Sequence, residues 1–113
     1  MRDYRGSLTY KDHEYKLVFN LNVMETLQEK YGTVEKWGIL TDGDEPDAAA
    51  IKFGVCAMLN EGIDIENEET GSELKPFTLK QVGRLLSEVG LNTAAGAMRE
   101  TVMESVEIDE KNV

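Results

Sequence analysis

The chain holds one histidine, His13, and one cysteine, Cys56, the side chains best suited to proton transfer and nucleophilic attack near neutral pH. A nucleophile needs an activating base within hydrogen-bond reach. His13 falls in Lys11-Asp12-His13-Glu14, which reads as an exposed turn, whereas Cys56 sits in the most apolar run of the chain. Neither has a visible activating partner, and a cysteine buried in apolar surroundings is ordinarily inert. Carboxylates are the other candidates. Asp42, Asp44 and Asp47 crowd one loop, and Asp64-Ile65-Glu66-Asn67-Glu68 alternates acidic residues. Neither run matches the calcium-loop pattern of alternate ligands, a central glycine and a distal glutamate. A small metal-dependent enzyme built on Asp42, Asp44 and Asp47 is the remaining catalytic reading, set against plain solvated loops. The glycines are scattered and form no phosphate-cradling loop. The expectation is a non-enzymatic protein without cofactor or metal.

Charge narrows the partners. Lys and Arg number 12 against 22 Asp and Glu, for a formal net charge of -10. Nucleic-acid affinity rests on neutralising phosphates with Lys and Arg, and anionic membranes attract the same residues, so both partner classes are disfavoured. Acidity keeps a chain soluble, and it also suits a basic protein partner or mimicry of nucleic acid. Residues 48–59 form the longest apolar stretch, interrupted by Lys52, too short to span a membrane. No apolar segment follows the basic N-terminus, and a lone thiol suits a reducing compartment, so a cytoplasmic location is expected.

The elements that position these groups follow from periodicity. Residues 6–10 and 15–19 read as a β-hairpin with a turn at 11–14, and Tyr15, Leu17 and Phe19 alternate onto one face. Asn20 or Asn22 caps a helix in which Val23, Leu27 and Tyr31 recur, with Gly32 as its stop. Thr33 caps a short helical turn broken at Gly38. Pro46 suits the first turn of a helix over about residues 47–60, ending at Gly62 and apolar on most sides, as befits the centre of a domain. Residues 61–75 read as a mobile acidic loop. Thr78 and Gln81 form a capping box, with Phe77 as a staple onto Val82, for a helix whose inward stripe is Leu79, Val82, Leu86 and Val89. A last helix runs from about Thr93, capped by Asn92, to Val106, with Ala95, Met98, Val102 and Val106 at helical spacing and a frayed tail over 107–113. Gly96 inside it costs about 1 kcal/mol relative to alanine, which points to close packing or a chain-to-chain contact. The fold class is α+β and mostly helical, a hairpin followed by four or five helices around one core, with residues 1–113 as a single domain.

The candidate partner-binding residues are apolar. Trp37 with Ile39 and Leu40 lies in the short segment, where the Trp is either a core anchor or a binding hot spot. Met103 lies off the stripe of the last helix and offers adaptable surface.

Three stretches in order carry a family likeness. Tyr15-Lys16-Leu17-Val18-Phe19-Asn20-Leu21-Asn22-Val23-Met24-Glu25-Thr26-Leu27-Gln28-Glu29-Lys30-Tyr31-Gly32 is an aromatic strand running into an asparagine-capped helix that ends in Tyr-Gly. The central apolar helix with its acidic insertion follows, and then the helix start Phe77-Thr78-Leu79-Lys80-Gln81-Val82. Over about residues 8–106 this order resembles the tail assembly chaperones of long-tailed bacteriophages and prophages. The resemblance implies a non-enzymatic assembly factor that coats the tape measure protein, keeps it soluble while tail tube subunits polymerise around it, and then leaves. It implies contact with the tape measure protein and with the major tail tube protein, self-association into a homo-oligomer, the cytoplasm of a bacterial host, and absence from the mature virion. The alternative is an acidic nucleic-acid mimic that inhibits a DNA-binding protein, for which the carboxylates should cover one continuous surface.

Overall fold

A computed structural model describes residues 6–111, with side chains described for residues 6–105. Strands β1 (Ser7–Tyr10) and β2 (His13–Lys16) pair antiparallel, with Tyr10 opposite His13 and Ser7 opposite Lys16. Only Lys11 and Asp12 turn between them, both at positive φ (50° and 64°), the conformation whose twist matches a tight hairpin. The turn is therefore shorter than the four residues expected, and His13 and Glu14 belong to the strand. One further bond, Leu17 N–H to the Gly6 carbonyl (2.9 Å), extends the hairpin past Lys16, and Val18 N–H then donates to the Met58 carbonyl (3.3 Å) of the central helix.

Helix α1 (Leu21–Tyr31) is capped by Asn20, whose Oδ1 accepts from Val23 N–H at 3.2 Å, and Asn22 lies inside it. Thr33 caps α2 (Val34–Thr41), which runs through Gly38 rather than breaking there. Asp47, not Pro46, starts α3 (Ala48–Thr70), its carboxylate accepting from the N–H groups of Ala49 (2.9 Å) and Ala50 (3.2 Å).

The largest departure from expectation lies in α3. It continues past Asn60 and Gly62 to Thr70, so most of the stretch expected to be a mobile acidic loop is helix, and it stops at Gly71 in the left-handed conformation (φ 71°). Gly62 is a packing glycine, not a stop signal, because a Cβ there would collide with the Lys16 carbonyl oxygen. Residues 71–78 then run back along α3 in two asparagine clamps. Asn67 donates to the Leu74 carbonyl and accepts from Leu74 N–H, both at 3.0 Å. Asn60 does the same for Phe77, at 2.9 and 2.8 Å. The Phe77 ring packs edge-on against Tyr15, with centroids 5.2 Å apart, and tilted against Tyr10.

Thr78 and Gln81 complete the expected capping box of α4 (Leu79–Val89). Its buried residues are Val82, Leu85 and Leu86, while Leu79, expected inward, is the first helical residue and is exposed. Helix α5 (Leu91–Lys111) starts before Asn92, with Ala94 N–H bonded to the Gly90 carbonyl (3.1 Å). Asn92 is thus helical rather than a cap. The helix also continues past Val106 through most of the expected frayed tail, whose last two residues lie outside the described residues.

One core gathers around α3. Ala50, Ile51, Val55, Met58 and Leu59 are each at most 1% exposed, packed with Leu17, Val23, Leu27, Val82, Leu85, Ala94 and Met98. Full burial of each large aliphatic side chain contributes about 1.5–3 kcal/mol. Among the described residues no helix is long and apolar enough to cross a membrane.

Four glycines inside these helices divide into two kinds. A Cβ at Gly54 would overlap the Trp37 ring, as one at Gly62 would strike Lys16, whereas a Cβ at Gly38 or Gly96 would meet nothing within 4 Å among the described residues. Gly54→Ala and Gly62→Ala are therefore expected to lower unfolding free energy by about 1–3 kcal/mol. Gly38→Ala and Gly96→Ala are expected to raise it by roughly 0.5–1 kcal/mol. Urea denaturation of the four variants checks the signs.

Candidate functional site

Helix α2 has only two turns, so it presents one face inward and one outward. Trp37 and Thr41 lie four apart on the inner face and are buried at 3% and 4% exposure. The Trp37 ring fills the space left by the missing side chain of Gly54, and its Nε1–H donates to the Ala50 carbonyl at 3.0 Å. Trp37 is therefore buried as a core anchor, one of the two roles its sequence context offered. Ile39 and Leu40 point the other way, at 68% and 40% exposure.

A groove of about 210 Å³ runs between α2 and α5, lined by Trp37, Gly38, Thr41 and Asp42 on one side and by Met98, Arg99, Val102 and Met103 on the other. Met103 is 59% exposed. Arg99 Nη2 donates to the Thr41 carbonyl at 2.8 Å, which places a guanidinium at the C-terminal, negative end of α2 and ties the two walls together. The Thr41 hydroxyl donates back to the Gly38 carbonyl at 2.9 Å. Of the four expected binding residues, the fold places Trp37 beneath the groove, Met103 on its far wall, and Ile39 and Leu40 on the outer face of α2. Sequence reasoning missed Gly38, Arg99 and Val102. Gly38 read as a helix break, and the Arg99–Thr41 bond joins residues too far apart in sequence for any local pattern to mark.

The residues suited to catalysis are not brought together. The His13 ring packs tilted against Tyr15 (centroids 4.5 Å apart), and its Nε2 lies 3.5 Å from Glu66 Oε2. Cys56 Sγ accepts from Asn60 Nδ2 (3.5 Å) and donates to the Phe77 carbonyl (3.7 Å). Asp42 accepts from Gly43 N–H, and Asp47 caps α3. No group of three or more His, Cys, Asp or Glu among the described residues could hold a metal ion.

Burial pushes the Cys56 thiol pKa above its ordinary value of 9.0, against the smaller opposing pulls of the Asn60 hydrogen bond and the Lys52 charge. Burial, with a repulsive contribution from Asp47, also raises the Tyr31 hydroxyl above 10.0. Well below pH 9.0 the thiol is protonated in both folded and unfolded chains, so it adds no pH dependence there. As pH rises past that value the unfolded chain releases its proton first, and stability falls until the folded thiol ionises as well. Unfolding free energy is therefore expected to decline above pH 9.0, with a shallower decline in Cys56→Ala, measured by urea denaturation across the alkaline range.

Comparison with protein-family models, with curated proteins and with solved structures finds no match for this chain.

Proposed function

We propose that the protein is a tail assembly chaperone that binds the tape measure protein of a long-tailed phage and holds it in solution during tail assembly. The observation that carries this reading is an exposed apolar surface on an otherwise strongly acidic molecule. Met103 lines a groove between two helices, and Ile39 and Leu40 are exposed on the outer face of one of them, on a chain of net charge -10. Apolar surface of this kind marks binding sites, and a high net charge keeps the protein that bears it dissolved. A long helical client prone to aggregation needs both properties from its partner.

The order of elements supports the same reading. The hairpin leads into an Asn20-capped helix ending at Tyr31-Gly32, then an apolar central helix, then a helix opened by the Thr78 capping box. These are the parts on which the family resemblance rests.

Co-expression with the tape measure protein encoded in the same operon tests the proposal. The tape measure protein is expected to move into the soluble fraction and to co-purify with the chain, and failure of both would overturn the reading. The double variant Ile39→Ser, Met103→Ser should reduce co-purification. Since both positions are exposed, it should change unfolding free energy by no more than about 0.5 kcal/mol each.

A further inference from the structure

We infer that the α2/α5 groove receives one amphipathic helical segment of a partner, with an apolar stripe flanked by lysine or arginine and a backbone that passes close over Gly38. The inference rests on the chaperone reading for the identity of the natural partner, but not for the chemistry of the groove.

Both walls are helices whose backbone groups are already used in their own ladders, so the groove offers no row of free N–H and C=O groups for an extended chain to pair with. What it offers is side-chain relief between two ridges, which a third helix fills. Gly38 lines this groove, and a Cβ there would meet nothing within 4 Å among the described residues. Among the described residues nothing requires glycine at that helical position, in contrast to Gly54 beneath Trp37 and Gly62 beneath Lys16. Gly96, equally open, shares the α5 face with Arg99 and Met103 at spacings of three and four residues. Glycines beside an apolar groove let another backbone approach closely.

Charge selects the occupant. Asp42 lines the groove at the end of α2, exposed Asp44 and Glu45 follow it directly, and exposed Glu100 sits beside Arg99 on α5. No basic residue lies in the last turn of α2. Arg99 keeps its positive charge on the groove wall, directed onto the Thr41 carbonyl, but Asp42, Asp44, Glu45 and Glu100 outnumber it, and the Lys36 side chain lies beside Gly32, at the end of α1. A second copy, also at net charge -10, would set acidic rim against acidic rim, whereas a basic-flanked helix complements it.

Trp37 is the only tryptophan in the chain and lines the groove, so its fluorescence reports occupancy. The probe is a synthetic helical peptide of about 18 residues, long enough to hold helix, with a leucine stripe flanked by lysines. A matched peptide flanked by glutamates is the control. The lysine peptide is expected to change Trp37 emission saturably, with affinity falling as salt rises, and the glutamate peptide to have no effect. Gly38→Leu, which fills the groove without meeting other atoms at its Cβ, should weaken binding by about tenfold or more, as should Met103→Glu, with unfolding midpoints checked for both. Equal binding of the two peptides, binding of neither, or a concentration-dependent dimer that Gly38→Leu abolishes would each overturn the inference. If the lysine peptide binds but the tape measure protein does not co-purify, the groove inference stands and the chaperone reading falls. If the tape measure protein co-purifies equally with Gly38→Leu, the reverse holds.

Discussion

A helical segment that is apolar on most sides is stable in water only when something covers each side, and the first half of α3, residues 48–59, imposes that demand on the rest of the chain. The hairpin, α1, α2, α4 and α5 all pack against it or against the layer it anchors. Two approaches to it are close enough to exclude a side chain, at Gly54 for the Trp37 ring and at Gly62 for the Lys16 carbonyl. Its own backbone takes part as well. The Ala50 carbonyl accepts the Trp37 indole N–H and the Met58 carbonyl accepts Val18 N–H, both using the second lone pair that an α-helical carbonyl leaves available. The covering elements are thus fixed to α3 by directional bonds as well as by apolar packing.

A short covering helix has another side. The two turns of α2 give Trp37 and Thr41 to the core and leave Ile39 and Leu40 in solvent. Helix α5 buries Ala94, Ala95 and Met98 and leaves Met103 outside. The apolar outer surface is therefore the complement of the packing geometry. The surrounding carboxylates make that surface compatible with a dissolved protein.

Local signals carried most of the architecture. The hairpin, the Asn20 and Thr33 caps, the Gly32 stop and the Thr78–Gln81 capping box are each written within a few residues, and each forms. What was not legible depends on partners distant in sequence. Gly62 beside a run of acidic residues reads as a helix end, because nothing local announces the Lys16 carbonyl that needs its missing side chain. The side chains that pin residues 71–78 belong to Asn60 and Asn67, which look like ordinary loop formers. Of the groove's lining, Met103 could be named from its position off the apolar stripe of the last helix, whereas Ile39 and Leu40, named beside Trp37, lie on the outer face of α2. The burial of Trp37 could not, because two turns of helix are too few to fix which side faces in.

The returning segment has a metric property of its own. Asn60 and Asn67 stand seven residues apart on a helix, about 10.5 Å along its axis. Leu74 and Phe77, which they grip, stand three residues apart in an extended chain, about 10 Å. The two scales agree to within an ångström, so the clamps engage together, each as a peptide-like pair that ignores side-chain identity. Segments built this way vary freely in spelling but not in length. Glu73, Lys75 and Pro76 point to solvent and are open to substitution, while one inserted or deleted residue between the clamps would put helix and strap out of step.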